Sequence, residues 1–119
     1  MQRNVGAVAL LALALAGCAG YKMDHTRDGG PIGTLESARP PQELAQCVEA
    51  TWQSEALFGA VADAFTERAG NGQYTVSDHA SDYFVDINPN GPGSVLRFYG
   101  NPRSGEVAQK RQATVATCL

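Results

Sequence analysis

Acidic and histidine side chains cluster in one short segment of the chain. Asp78, His79 and Asp82 lie within five residues, and Asp86 follows four positions later. Carboxylates and an imidazole that converge on one point could bind a metal ion or transfer protons. The spacing matches neither an EF-hand loop nor a His-x-x-x-His zinc pair, and Asp also favours turns because it hydrogen-bonds nearby backbone. The sequence therefore predicts a turn here, with no metal and no cofactor.

Nucleophilic catalysis would need a serine or cysteine with a histidine and an orienting acid within reach. His79 is the one histidine between residues 41 and 119, and the chain contains no Gly-x-Ser-x-Gly elbow. A chain this short also leaves little room for a deep cleft. We therefore predict no catalytic residue, and Asp78, His79 and Asp82 are the side chains that an enzyme or an inhibitor would use.

The first residues have the order of a secretory signal peptide. Arg3 supplies a positive charge, and residues 5–16 are all Val, Gly, Ala or Leu. This apolar run is shorter than the roughly 20 residues that a helix needs to span a bilayer. The pattern favours a cleaved export signal over residues 1–17 rather than a transmembrane helix.

The residues Leu15-Ala16-Gly17-Cys18 end this run with small side chains ahead of a cysteine. All four positions resemble the lipobox of bacterial lipoproteins. The resemblance implies cleavage before Cys18, a diacylglyceryl group on its sulfur and acylation of its new amine. In lipoproteins of the enteric type, an Asp directly after the lipidated cysteine favours retention in the inner membrane. This chain has Ala19 at that position, so the resemblance implies the outer membrane, at its periplasmic face. The alternative is an ordinary signal peptide in which Cys18 is an incidental thiol.

Cysteine count and charge agree with an exported protein of one small domain. Lipidation of Cys18 would leave Cys47 and Cys118 as an even pair for a disulfide, the alternative being two buried thiols. Loss of residues 1–17 would leave about 100 residues, enough for one domain. The formal net charge of −3 would become about −4 without Arg3, which disfavours nucleic acid as a partner.

The segment at residues 18–40 is rich in Gly and Pro and predicts a flexible tether. Its charged side chains are expected to be solvated; they are Lys22, Asp24, His25, Arg27 and Asp28. From residue 41 the apolar spacing indicates a helix to about Trp52 and a second helical piece over 55–68, stopped by Gly70-Asn71-Gly72. A strand within 57–64 is the less favoured alternative.

Three short runs then alternate as strands, at residues 73–77, 83–87 and 94–99. Consecutive strands with short connections indicate an antiparallel meander. Ser104 is the expected N-cap of a last helix over 105–118. The predicted fold class is α+β, in the order helix, helix, three-stranded antiparallel meander and C-terminal helix, with one Cys47–Cys118 disulfide and a domain over 41–119.

The expected partner surface is an aromatic patch on the sheet. Phe84, Arg97 and Tyr99 alternate away from the helices and would form a contact patch if exposed. An edge strand at 73–77 or 94–99 could instead accept a strand from a partner. An early cysteine, a tryptophan five residues later and late Tyr/Phe-rich strands resemble small uncharacterised proteobacterial lipoproteins. The expected function is a non-enzymatic envelope lipoprotein that binds a protein or glycan; the alternative is a small periplasmic hydrolase or enzyme inhibitor.

Overall fold

The computed structural model describes residues 20–54, 56–57, 60–61 and 63–119. The lipobox and the predicted signal at residues 1–17 lie outside these residues. No helix in the described part of the chain is both long and apolar enough to cross a bilayer. The elements in chain order are a helix at residues 20–28 (α1), β1 (Gly33–Ser37), α2 (Pro41–Ser54), β2 (Ala56–Leu57), β3 (Ala60–Val61), β4 (Phe65–Arg68), β5 (Tyr74–Ser77), β6 (Tyr83–Asn90), β7 (Gly93–Gly100) and α3 (Glu106–Ala116).

One antiparallel sheet organises the fold. Its five strands follow the order β1-β7-β6-β5-β4, and β2 pairs with β3 in a separate two-stranded ribbon. The longest pair is the β6–β7 hairpin, which turns at Gly91 with φ of 57°. A positive φ favours glycine because it has no Cβ to clash with the backbone. This hairpin supplies two of the three interior strands of the sheet.

Strand alternation gives the sheet two buried faces. On β6, Val85 and Ile87 point to one face while Phe84 and Asp86 point to the other, and all four are buried. The first face packs on α2 and α3 and carries the main core. The buried members of that core are Leu44, Ala45, Val48, Trp52, Ala64, Val76, Tyr83, Val85, Ile87, Leu96, Phe98, Ala108, Val115 and Cys118.

The predicted three-stranded meander is wrong, because the sheet has five strands. The helix predicted over 55–68 is also wrong: residues 56–57, 60–61 and 65–68 form β2, β3 and β4, and β4 pairs with β5 from Phe65↔Ser77 to Arg68↔Tyr74. The glycines expected to stop a helix instead form the β4–β5 turn, where Gly72 has φ of 85°. Pairing with a neighbouring strand outweighs the local preference, since strand formation depends on its partners more than on propensity.

The segment predicted to be a tether also belongs to the folded unit. Residues 20–28 form α1, and β1 pairs with β7 along its whole length. Gly33 in β1 faces the side-chain amide of Gln112 on α3, which a Cβ at this position would contact. The domain therefore includes residues 20–40, and both strands considered as free edges, β5 and β7, are interior strands.

The disulfide between Cys47 and Cys118 is present and joins α2 to the end of α3. A hydrogen bond also links the two helices: the indole Nε1 of the buried Trp52 donates to the hydroxyl of Thr114 at 3.1 Å. The predicted N-cap, Ser104, is one residue early. Gly105 occupies the N-cap position with φ of 111° and provides no side-chain cap. Packing on α2 and the disulfide, rather than a strong cap, therefore fix α3.

Candidate functional site

A buried ion pair joins α1 to the second face of the sheet. Asp86, only 5% exposed, accepts hydrogen bonds from Arg27 Nε at 2.7 Å and from Arg27 Nη2 at 2.9 Å. The Thr75 hydroxyl donates to the same carboxylate at 2.7 Å. The hydrogen bonds to Asp86 raise the pKa of Arg27. Paired N–H donors on one carboxylate fix geometry as well as charge, so this contact defines where α1 lies.

The aromatic side chains of the predicted partner patch lie beneath α1. Phe84 and Tyr99 stack with ring centroids 5.1 Å apart, and both are buried. The guanidinium of Arg27 covers Phe84, 4.8 Å from the ring centroid. Burial raises the pKa of Tyr99. Arg97 alone of the predicted patch is exposed, so the patch is mainly an internal interface between α1 and the sheet.

Further polar contacts hold both ends of α1. Near its N-terminal side, Lys22 Nζ donates to Asp82 Oδ1 at 2.8 Å and to the carbonyl of Ala80 at 2.6 Å. Beyond its C-terminal side, Arg103 donates to the carbonyls of Gly29, Gly30 and Pro31 at 2.8 to 3.2 Å. Together with the pair at Asp86, these contacts fasten the helix at three points.

The acidic segment forms the predicted turn. Asp78 accepts hydrogen bonds from the backbone N–H of Asp82 at 2.8 Å and of Tyr83 at 3.3 Å. The pKa of Asp78 is raised overall, because the effect of burial outweighs the opposing effects of these two hydrogen bonds and of the charge of Arg111. His79 is exposed, with its ring 6.1 Å from that of Phe65. The three candidate side chains therefore face different partners rather than one point.

A shallow cleft of about 380 Å³ lies next to this turn, at the N-terminus of α3. Asp78, Asp82 and Glu106 contribute carboxylates to its lining. The Tyr83 hydroxyl donates to the carbonyl of Pro102 at 2.9 Å, and burial raises the pKa of Tyr83. Asp78 already caps backbone groups and Asp82 already pairs with Lys22. The described residues contain no group of three His, Cys, Asp or Glu side chains suited to a metal ion.

Two structural arginines were not identified from the sequence. Arg27 belonged to the charged set expected to be solvated, and Arg111 is buried with its guanidinium 4.7 Å from the Trp52 ring centroid. A signal for the first was present: Asp86 stands in an apolar strand, and a buried carboxylate needs a cation or hydrogen-bond donors. The pattern does not say which of the basic residues supplies them.

Comparison with protein-family models, with curated proteins and with solved structures finds no match for this chain.

Proposed function

We propose that the protein is a bacterial envelope lipoprotein, anchored by acylated Cys18 at the periplasmic face of the outer membrane. Its domain serves there as a non-enzymatic binding or structural module for an envelope protein or glycan. The observation that carries the proposal is the Cys47–Cys118 disulfide. Because Cys47 and Cys118 form a disulfide with each other, the thiol of Cys18 is available for a lipid.

Compartment and sequence support the same conclusion. Disulfides persist mainly in oxidising environments such as the bacterial periplasm, to which a signal like residues 1–17 directs a chain. Each buried acyl methylene contributes about 0.8 kcal/mol, and two acyl chains already give stable anchoring. A lipid at Cys18 would therefore hold the domain at the membrane without a transmembrane segment.

The contacts of the acidic turn favour a non-enzymatic role. A hydrolase or inhibitor would use Asp78, His79 and Asp82, yet both carboxylates bond structural partners. The cleft beside them remains the observation that favours this second candidate. His79 gives its test, because this exposed side chain can be replaced with little effect on packing. Under the main proposal, His79→Ala leaves binding of the envelope protein or glycan unchanged. Loss of the protein's activity with unchanged folding would support the hydrolase or enzyme inhibitor.

The decisive experiment is the intact mass of the mature protein from the membrane fraction, with and without reduction. We expect a chain that begins at Cys18, carries three acyl chains and gains two hydrogens on reduction. A Cys18→Ser variant should keep residues 1–17 and carry no lipid. A soluble, unacylated product of the unaltered sequence would refute the anchor.

A matched variant tests the choice of membrane. Ala19→Asp keeps the cysteine and should remain acylated, but in a lipoprotein of the enteric type it should move to the inner membrane. Separation of the two membranes by density, followed by detection of the protein, measures this. If the natural sequence and Ala19→Asp were distributed between the two membranes in the same way, the result would argue against sorting by residue 19.

A further inference from the structure

Very little chain separates the proposed lipid from the docked helix. Ala19 is the one residue between Cys18 and Gly20, where the described part of α1 starts. Two residues span at most about 7 Å, even when fully extended. The segment predicted to be a tether is instead fastened to the turn before β6 through Lys22 and to the sheet through Arg27. The anchor point is therefore tied closely to one place on the domain.

That place lies at one end of the sheet. Lys22 contacts Ala80 and Asp82 in the turn before β6, which we call the proximal turn, residues 78–82. The loop at 101–105 lies at the same end, since Asn101 N donates to the carbonyl of Asp82 at 2.9 Å. β6 then runs eight residues to the β6–β7 hairpin. At roughly 3.3 Å per residue, the hairpin is about 23 Å further along the strand.

We infer that the anchored domain rests with its proximal turn and the 101–105 loop against the lipid headgroups, and with the β6–β7 hairpin directed away from the membrane. The inference rests on the proposed acylation of Cys18. The occupant of this end of the domain is the bilayer surface, because the chain between lipid and helix is too short to place another end there.

The side chains next to the anchor suit an interface of this kind. Tyr21 is 72% exposed and stacks on His25, with centroids 6.1 Å apart. Tyrosine is enriched at membrane interfaces, where its ring meets apolar material and its hydroxyl meets water. Lys22 neutralises Asp82, which reduces repulsion between the proximal turn and anionic headgroups. The acyl chains supply the binding energy, so no basic patch is required.

Fluorescence quenching by a lipid with a labelled headgroup tests the orientation, because it reports how close a residue lies to the membrane surface. Two single variants, Ala80→Cys and Asn90→Cys, place a thiol at the exposed proximal turn or at the exposed hairpin. Acylation blocks Cys18 and the disulfide occupies Cys47 and Cys118, so a fluorophore reacts with the added thiol. The acylated proteins are incorporated into phosphatidylcholine vesicles that contain a headgroup-labelled quencher lipid. We expect several-fold stronger quenching at residue 80 than at residue 90.

A lengthened linker provides the matched control. About ten Gly/Ser residues inserted between Ala19 and Gly20 would add a flexible segment with an end-to-end distance of roughly 17 Å. The insertion leaves Lys22 and Arg27 in place, so the domain should fold as before. We expect the difference in quenching between residues 80 and 90 to fall towards zero.

The outcomes separate this inference from the anchor itself. The mass of the labelled protein is measured first, to establish that Cys18 carries its lipid. Equal quenching at both positions of the acylated protein, or stronger quenching at residue 90, overturns the orientation and leaves the anchor intact. A Cys18 without acyl chains overturns both the proposed function and the orientation that rests on it.

Discussion

The contact between Arg27 and Asp86 is unequal in its exposure to water. The Arg27 side chain is 28% exposed, whereas that of Asp86 is 7% exposed. Arg27 could turn to water if its partner were removed, but the carboxylate of Asp86 could not. Loss of one partner of a buried pair leaves an uncompensated charge, and this is the larger energetic effect. The position of α1 therefore depends most on Arg27.

We expect Arg27→Ala to lower the free energy of unfolding by about 3 kcal/mol, because it strands the Asp86 carboxylate in the fold. Urea denaturation monitored by circular dichroism measures the loss. Lys22→Ala is the control, since it breaks an exposed ion pair of the same helix and should cost about 0.5 kcal/mol. Equal effects of the two substitutions would contradict the dominant role of the buried pair.

Asp78 should make stability depend on pH in the opposite direction from most carboxylates. Burial raises its pKa above the ordinary value of 3.8, so the folded chain binds this proton more tightly than the unfolded chain. The contribution of Asp78 to the free energy of unfolding therefore increases as pH falls through its folded pKa towards 3.8. Asp78→Asn removes this titration while keeping a hydrogen-bond acceptor.

Denaturation of both proteins at about pH 7 and about pH 4 tests this linkage. The stability of the natural sequence should rise relative to Asp78→Asn at the lower pH. A gap that stays constant, or that moves in favour of the variant, would contradict the assigned shift.

At the scale of elements, the central hairpin could be predicted and the sheet edges could not. Val85 and Ile87 alternate with Phe84 and Asp86 strongly enough to define both faces of β6. β1 and β4 are short edge strands that pair with β7 and β5, respectively, and each contains a single large apolar side chain, Leu35 or Phe65. Pairing of this kind depends on distant residues, which a local pattern does not contain.

The same limit applies to the candidate site. The cysteine pairing followed from counting three cysteines, and the turn at Asp78 followed from the residues that turns favour. The burial of Phe84 and Tyr99 did not follow, because it depends on α1, which lies more than fifty residues earlier in the chain. A segment rich in Gly and charge gave no local sign that it would cover the sheet.

The disulfide should contribute a large share of stability. Its cysteines are 71 residues apart, and the chain-entropy model assigns a loop of that length roughly 4 kcal/mol. We expect the double variant Cys47→Ala/Cys118→Ala to lose about 2 to 4 kcal/mol in chemical denaturation. Reduction of the natural protein serves as the control and should give a similar loss. A change below about 1 kcal/mol would show that the packing of α2 on α3 suffices.

At the scale of the whole molecule, residues 20–40 should be required for folding. A chain shortened to start at Pro41 lacks α1 and β1, which exposes Phe84 and Tyr99 and leaves β7 as an open edge. An exposed edge strand next to apolar rings favours aggregation. We expect this chain to bind a hydrophobic dye and to lose a cooperative unfolding transition, whereas a chain that starts at Gly20 should keep one. A stable, monomeric shortened chain would contradict the enlarged domain.

The Cys47–Cys118 bond also determines how the molecule responds to mechanical force. If a partner pulls at Leu119 while the membrane holds Cys18, tension passes along residues 18–47 and then crosses the disulfide. The chain between the two bonded cysteines carries no load. At about 3.5 Å per residue, the stretched molecule would reach about 100 Å, compared with about 350 Å if the bond were reduced. An oxidised protein would therefore yield by releasing α1, β1 and the first part of α2, up to Cys47, and would then stop extending while its central hairpin stays folded.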